Sequence, residues 1–403
     1  MGNKTSQIEN RKQSSGLFIT SLAVSNFAAG PLGVLVSLLL VDIGATFNAS
    51  VSLMSQINTS YSLAAFVFAL LMGILSVRFR HKTLLIVGML LTCISALGFY
   101  LAWDFTVVLA SYSLSGIGWA MISPTSFTLI ADHISIVKRA SAVGWIVAGG
   151  ALAYVVSPLL VAWIAGIGGW RLCLVGFVMP ILLVSLPLVF IGIPSVPRNS
   201  QRLKNEQTYL RSFKDVLSNK SAFACLVGDT LRSAAFVATL YYVASFIRQR
   251  FQMPTDFASY VLLSAASFYA VASVVAGPLV NRIGRKKLTA LTALLSGAST
   301  ICYYLVPNLW LSVALVMVAS WFFGMLVSSA NSFTLEQVPT ARGTTMSLDT
   351  AAINLGYALG TALGGVTLLS FGYEGLGSTL GAIGIAAALV FYFLAREPVN
   401  TKA

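Results

Sequence analysis

Apolar stretches without charged residues alternate along the whole chain with short segments that carry the charged side chains. Each stretch has about 20 residues or more, which is long enough for a helix to cross a hydrocarbon layer of about 30 Å. The pattern predicts an all-α membrane protein with twelve transmembrane helices. The predicted spans are residues 16–41, 51–77, 83–103, 105–131, 140–166, 170–193, 221–247, 257–281, 287–306, 309–335, 343–371 and 375–395.

The longest hydrophilic segment of the chain, residues 194–220, lies between the sixth and seventh predicted spans. It divides the chain evenly, with six spans on each side. We therefore predict an N-terminal six-helix bundle at residues 1–193, a cytoplasmic linker loop at 194–220 and a C-terminal six-helix bundle at 221–403.

Composition excludes a soluble protein. Hydrophobic residues make up 57% of the chain and charged residues only 9%, against about 25% charged in soluble domains. The mean hydropathy is +0.85. A chain of this kind has the lipid bilayer as its principal surroundings.

The net charge of +13 gives no indication of nucleic-acid binding, because the position of the Lys and Arg residues along the chain follows the membrane topology. If the N-terminus is cytoplasmic, the Lys and Arg residues fall on the cytoplasmic side, apart from Arg171, Arg248 and Arg250 outside and Arg232 within a span. Cytoplasmic loops of membrane proteins carry such an excess. We expect a multi-pass protein of the plasma (cytoplasmic) membrane with both termini in the cytoplasm.

An internal repeat links the two halves. Four residue pairs of the same or similar chemistry recur at an offset of 204 positions: Gly73 with Gly277, Arg78 with Arg282, Lys82 with Lys286, and Asp132 with Glu336. Parallel repeats of this kind build secondary transporters from two bundles around a central site. The repeat predicts two pseudo-symmetric bundles that rock against each other.

The second copy of the repeat, residues 277–287, resembles the cytoplasmic loop signature of the major facilitator superfamily. That signature is glycine, three residues, Asp, Arg, any residue, Gly, Arg, and Arg or Lys. Here Arg282, Gly284 and Arg285 match it, and Asn281 replaces the acid. The resemblance implies the twelve-helix major facilitator fold for the whole chain.

The first copy, residues 73–82, departs further from the signature. Within the superfamily the chain is similar to the drug and sugar efflux permeases, the drug:proton antiporters, through the runs at 168–171, 342–348 and 356–360. The arginine that such exporters carry in their fourth span is replaced by Tyr112. The chain therefore lacks one residue of the usual proton-coupling scheme of those exporters.

The loop signature has a mechanical interpretation, because its arginines can reach the acid at the next helix end. Arg78 with Asp132, and Arg282 with Glu336, would then clamp the cytoplasmic side. The alternative is ordinary positive charge on the cytoplasmic loops. The predicted cytoplasmic gate comprises Gly73, Arg78, Asp132, Gly277, Asn281, Arg282, Gly284, Arg285 and Glu336.

Asp229, Arg232 and Asp349 are charged residues that lie inside the predicted spans, away from the span ends. Insertion of such a group costs about 2.5–3.5 kcal/mol, so each is a candidate functional residue. Asp229 and Arg232 are three positions apart and share one helix face. Asp349 lies about 10 Å from its helix end, at a depth similar to that of Asp229. We predict that the three couple transport to protons; the alternative for Asp229 and Arg232 is a static ion pair.

The superfamily resemblance implies that the spans with polar and aromatic residues line a central cavity. Aromatic walls with few polar groups suit amphiphilic organic substrates. Each aromatic residue alone has the alternative of packing against lipid. The predicted cavity residues are Asn26, Tyr61, Trp119, Tyr154, Phe236, Phe268, Tyr269, Trp321, Asn331, Asn354 and Tyr357.

These features predict a monomeric secondary active transporter that moves a small organic solute by alternating access. Proton-coupled efflux (antiport) of amphiphilic, drug-like compounds or sugars is the leading interpretation. An uptake permease or facilitator for a nutrient or an organic anion is the alternative, since Arg232 would attract an anion. A membrane enzyme or receptor is a further alternative. We expect no enzyme activity, cofactor or metal, because no nucleophile, metal-ligand or nucleotide-loop pattern is present.

Overall fold

The computed structural model describes residues 16–134, 136–194 and 213–397. Within these residues, ten apolar helical segments are long enough to cross a bilayer, and the segments Ser141–Gly192 and Thr344–Leu394 have 52 and 51 residues. Each of these two is twice the length that a single crossing needs.

Both long segments are broken by glycine. Gly169 has φ 74° and Gly372 has φ 66°, in the left-handed region that glycine adopts without a steric penalty. The neighbouring Gly168 is also non-helical. Each long segment therefore forms two spans, and the prediction of twelve transmembrane helices in a wholly helical membrane fold is confirmed.

We number the spans α1 to α12. The first six are α1 (Gly16–Leu38), α2 (Val51–Arg78), α3 (His81–Tyr100), α4 (Phe105–His133), α5 (136–167) and α6 (170–192). The second six are α7 (Lys220–Arg250), α8 (Thr255–Ile283), α9 (Arg285–Leu305), α10 (Leu309–Leu335), α11 (342–371) and α12 (373–394).

Of the predicted linker 194–220, residues 195–212 lie outside the described residues. The division of the chain at this linker stays a prediction. The side chain of Val216, on the described part of the linker, is fully buried and packs against Leu226 and Leu348 of the second half. This end of the linker is therefore attached to the second half.

Polar side chains define where several helices begin. Asp104 caps α4 by accepting a hydrogen bond from the backbone N–H of Thr106 at 3.0 Å, and Asn219 caps α7 through Ser221 N–H at 3.0 Å. Such caps satisfy amide groups that have no partner within the helix. Hydrogen bonds from the side chain and backbone of Thr106 lower the pKa of the Asp104 carboxyl.

The two halves pack by the same pattern. α4 lies against α2 and α3 in the first half, as α10 lies against α8 and α9 in the second. The repeated lysines make equivalent cation–π contacts: Lys82 Nζ lies 5.1 Å from the ring centre of Phe190 in α6, and Lys286 Nζ lies 5.6 Å from that of Tyr392 in α12. The repeat in the sequence thus corresponds to a repeat in structure.

A glycine permits an equivalent close approach of two helices in each half. A Cβ on Gly116 would lie 2.1 Å from the carbonyl oxygen of Tyr61, and a Cβ on Gly324 would lie 2.3 Å from that of Tyr269. Real Cβ atoms do not approach an oxygen this closely, so the helices meet only because both positions lack a side chain. These contacts hold α4 on α2 and α10 on α8.

The halves meet through α2 with α11, α5 with α8, and α1 with α7. We call the side on which α1 begins and α12 ends the terminal side, and the opposite side the distal side. On the distal side, Arg248 Nη1 and Nη2 donate to the two carboxylate oxygens of Asp42 at 2.5 and 3.0 Å. Tyr241 Oη donates to the carbonyl oxygen of Met54 at 3.1 Å.

Hydroxyl contacts also join the first turns of α2 to α11. Ser52 Oγ donates to the carbonyl oxygen of Gly365, and the hydroxyl oxygens of Thr59 and Thr361 lie 3.0 Å apart. Together with the Asp42–Arg248 pair, these contacts close the distal side between the halves.

We predict that Gly116→Ala destabilises the protein by about 1–3 kcal/mol, because the new methyl group forces α4 away from α2. The midpoint of thermal unfolding in detergent measures this effect. Gly144→Ala is the matched control, since a Cβ there meets no described atom within 4 Å. Equal midpoints for both variants would show that the close approach at Gly116 does not contribute to stability.

Candidate functional site

Asp229 and Arg232 form a buried ion pair on α7. Their exposed fractions are 0% and 2%, and Arg232 Nε donates a hydrogen bond to Asp229 Oδ1. From α10, Thr334 Oγ1 donates to Asp229 Oδ2 at 2.8 Å, while Arg232 Nη2 donates to Asn331 Oδ1 at 3.2 Å. The pair is therefore held between α7 and α10, as charged groups within a membrane span require.

Asp349 of α11 joins this pair. Its side chain is 1% exposed, and its carboxyl lies within electrostatic range of the Asp229 carboxyl and of Arg232. The Oδ1 atom of Asp349 is buried without a hydrogen-bond partner among the described residues. The structure thus brings together the three ionisable residues that the sequence places within spans.

The charges of this cluster do not balance. Two carboxylates face one guanidinium, so the cluster with both acids ionised has one negative charge more than positive. An unbalanced charge away from water is strongly unfavourable. One proton on the carboxyl pair, or one monovalent cation beside it, brings the cluster to neutrality.

Tyrosine side chains from both halves surround the centre of the molecule. Tyr61 of α2 and Tyr112 of α4 have ring centres 4.9 Å apart. Tyr154, Tyr269 and Tyr357 lie within electrostatic range of one another, and Tyr61 is within range of Tyr154 and Tyr357. Together these five tyrosines, which we call the tyrosine cluster, come from α2, α4, α5, α8 and α11.

The tyrosine cluster adjoins the charged cluster. Tyr357 lies within electrostatic range of both Arg232 and Asp349. Tyr154, although halfway along α5 and surrounded by the other phenols, has 53% of its surface exposed. Because the distal side is closed, we infer that this surface faces a cavity open towards the terminal side.

A pair of stacked aromatic rings lies one helical turn beyond Arg232. Phe236, one helical turn further along α7, stacks on Phe323 of α10 with ring centres 3.7 Å apart, and Tyr269 lies 6.0 Å from Phe323. Ring faces provide apolar contact and favour cations. Phe236 and Phe323 are both buried, so the charged cluster is bordered by buried aromatic packing on α7, α8 and α10.

Asn26 and Asn354 are engaged inside the bundles. Asn26 Nδ2 donates to Ser126 Oγ and to the carbonyl oxygen of Leu22, both at 2.9 Å, and only 4% of its surface is exposed. Asn354 Nδ2 donates to the carbonyl oxygen of Thr350 in its own helix at 2.8 Å. The structure gives Asn26 the role of joining α1 to α4, and substrate contact by either residue stays a prediction.

Phe268 and Trp321 pack against each other, with ring centres 6.2 Å apart. Trp321 also borders an apolar cluster that joins α8, α9 and α10 through Ala272, Leu288 and Met325. Their position is thus within the second half. Trp119 is partly buried, and its contact with substrate also stays a prediction.

The predicted cytoplasmic gate lies on the terminal side. Asp132 Oδ2 is 2.9 Å from Nδ1 of His81 at the start of α3. The contact of Arg78 with Asp132 stays a prediction. A Cβ on Gly277 would meet no described atom within 4 Å, so no close packing at this glycine is formed in this state.

The second copy of the signature is fixed by the chain beyond α12. Glu397 accepts hydrogen bonds from the backbone N–H groups of Arg285 and Lys286, at 3.1 and 3.0 Å, just after the sharp turn at Gly284, where φ is 92°. Arg285 Nε donates to Ser332 Oγ at 3.0 Å. Glu397 thus caps the first turn of α9.

The roles of Asn281 and of Arg282 in the signature stay predictions. The side chain of Asn281 lies outside the described residues. The predicted pairing of Arg282 with Glu336 stays a prediction as well. Gly73, in α2, lies one helical turn before the end of the helix that carries Arg78.

Three features of the site were missed by sequence reasoning. Tyr112 was noted only as a departure from a family pattern, and its ring contact with Tyr61 depends on the crossing of α2 and α4. Thr334 is one of many hydroxyl residues in the spans. The Asp42–Arg248 pair joins residues far apart in sequence at two helix ends, where charge is ordinary.

We predict that Arg232→Met destabilises the protein by about 3–5 kcal/mol, because it leaves buried carboxylates without their cation. The thermal unfolding midpoint in detergent measures the loss. The double variant with Asp229→Asn is the control, since it removes one acid together with the base and is expected to recover much of the stability. A single variant as stable as the wild type would contradict the electrostatic role of Arg232.

Comparison with known proteins agrees with the helical membrane fold. The family model of the Major Facilitator Superfamily matches residues 16–268 and 233–403. An uncharacterized MFS-type transporter, YwfA, of Bacillus subtilis (strain 168) is 22% identical over 400 residues, 98% of this chain and 96% of its own. Multidrug resistance protein 2 of the same organism is 23% identical over 304 residues, 72% and 73% of the two chains.

Among solved structures, the crystal structure of a D-xylose–proton symporter superposes with a TM-score of 0.79 at 16% identity. The match covers 95% of this chain and 98% of the symporter. At this identity the likeness concerns the fold.

Proposed function

Because the chain belongs to the major facilitator superfamily of membrane transporters, we propose that it is a secondary active transporter that exports small amphiphilic compounds, cationic ones foremost, in exchange for protons. The observation that carries this proposal is the buried cluster of two carboxyls and one guanidinium on α7 and α11. The wider family membership leaves both substrate and direction open.

The coupling follows from the charge of the cluster. A proton on Asp229 or Asp349 and a cationic substrate beside them neutralise the same negative charge, so each makes the other unfavourable. Mutual exclusion at one site is sufficient for exchange: the substrate leaves when the proton enters. Arg232 neutralises one of the two carboxylates, so the site carries a single net negative charge. One proton is then enough to make the site neutral.

The conformation supports loading from the terminal side. The Asp42–Arg248 pair and the α2–α11 contacts close the distal side, while Tyr154 of the tyrosine cluster remains half-exposed. The excess of Lys and Arg on the loops of the terminal side supports a cytoplasmic position for that side in the plasma membrane. Export then requires the Asp42–Arg248 pair to break as the distal side opens.

The lining supports amphiphilic substrates. The phenol rings of the tyrosine cluster, of which Tyr154 has half of its surface exposed, offer apolar faces and few fixed hydrogen bonds. Arg232 is already engaged by Asp229 and Asn331, which argues against an organic anion as substrate. The similarity to a relative named as a multidrug resistance protein agrees with this choice.

We predict that lipophilic cations drive proton movement through the purified protein in liposomes, and that Asp229→Asn and Asp349→Asn each abolish it. A pH-sensitive dye inside the liposomes measures the flux while lipophilic cations, neutral drugs, sugars and organic anions are added in turn. Asp256→Asn is the matched control, because Asp256 is an exposed acid in the first turn of α8.

Retained flux in the control and lost flux in both site variants supports the proposal. If solute moves without proton flux and the site variants behave as wild type, proton antiport is wrong. A facilitator or an uptake permease then becomes the better account.

A further inference from the structure

A groove of about 830 Å³ opens on the terminal side between the start of α7 and the end of α12. One part of its wall is apolar and faces outward: Phe223, Phe393 and Leu394 have 51%, 71% and 62% of their surfaces exposed. The other part is polar and includes Lys220 and Arg396. The groove is separate from the charged and tyrosine clusters.

A ring of hydrogen bonds fixes the polar part of the groove. Arg396 N–H donates to Ser221 Oγ at 2.8 Å, Ser221 Oγ donates to Gln337 Oε1 at 2.6 Å, and Gln337 Nε2 donates to the carbonyl oxygen of Arg396 at 3.1 Å. The ring joins α7, the end of α10 and the segment after α12. It seats Arg396 beside Lys220 at the first residue of α7.

The groove has an excess of positive charge. Its one acid, Glu397, accepts hydrogen bonds from two backbone N–H groups at the start of α9, where the helix dipole also favours a negative group. Lys220 and Arg396 have exposed side chains. An occupant with an anionic group is therefore favoured at this end, and an apolar occupant along the aromatic wall.

We propose that this groove binds an anionic phospholipid of the adjacent leaflet, with its phosphate-bearing headgroup between Lys220 and Arg396 and its acyl chains along Phe223, Phe393 and Leu394. Basic pockets between transmembrane helices at the membrane surface suit such headgroups. A lipid satisfies both walls at once, whereas a soluble anion contacts only the basic end.

The groove lies close to the charged cluster along α7. Where α7 and α12 meet, a Cβ on Gly228 would lie 2.6 Å from the ring of Phe391, so no side chain fits between them. Gly228 directly precedes Asp229. A lipid wedged between the same two helices on the terminal side of this contact therefore supports the position of the helix that carries Asp229 and Arg232.

The test uses the full-length protein in detergent and does not depend on any transport activity. The thermal unfolding midpoint is followed while phosphatidylglycerol, phosphatidylcholine or inorganic phosphate is added, and native mass spectrometry counts bound lipid. The double variant Lys220→Gln/Arg396→Gln removes the basic end of the groove. Lys214→Gln/Lys287→Gln is the matched control, because it removes two exposed charges of the terminal side outside the groove.

Phosphatidylglycerol is expected to raise the midpoint of wild type and control, and the groove variant should bind it about twentyfold more weakly, since each basic group contributes about fivefold. Equal effects of phosphatidylcholine would overturn the anionic preference. Equal effects of inorganic phosphate would indicate a soluble-anion site instead of a lipid site. An equal loss in the control variant, or lipid-free dimers that the groove variant abolishes, would also contradict the proposal.

Discussion

Arg232 and the two carboxyls beside it constrain the rest of the structure, because charged groups within a membrane span must be compensated by protein. Arg232 and Asp229 are neighbours on α7, but their remaining hydrogen-bonding groups are satisfied from α10, by Asn331 and Thr334. Asp349 is contributed by α11. Three helices of the second half therefore have to remain in register for the cluster to be stable.

In the proposed transport cycle, the first half supplies a surface that moves relative to this cluster. Its own helices are held rigidly by contacts such as Gly116 on Tyr61 and Asn26 on Ser126. Between the halves lie a shared apolar cluster, which includes Leu35 of α1 and Tyr242 of α7, and polar contacts, which are hydroxyl groups and one partly exposed ion pair, Asp42 with Arg248. Such polar contacts contribute little stability each and exchange readily for water. Rocking of the halves would have to break these polar contacts and separate the shared apolar cluster on the distal side.

Much of the architecture is readable from the sequence, because the bilayer imposes a simple length and hydropathy rule. The paired position of Asp229 and Arg232 also follows from helical spacing. The approach of Asp349 to Asp229 does not, since the two lie in different spans and only the crossing of α7 and α11 brings them together. For the same reason, the sequence does not predict the contact of Tyr112 with Tyr61, because it depends on the crossing of α2 and α4.

Asn26 and Trp321 show a second limit of the sequence. Both are predicted to line the cavity from their residue type and span, but a short amide such as Asn26 also serves to join two helices of one bundle. Periodicity alone gives the face of a helix, and it does not give the neighbour on that face.

The central claim is that a proton and a cationic substrate share one negative charge at Asp229 and Asp349. Its most direct test measures proton release when saturating tetraphenylphosphonium, a lipophilic cation, is added to the purified protein in weakly buffered detergent solution with a pH-sensitive dye. The account predicts release of about one proton for each cation bound by the wild type and none by Asp349→Asn. If the wild type binds the cation with the same affinity as Asp349→Asn and releases no proton, the claim is contradicted.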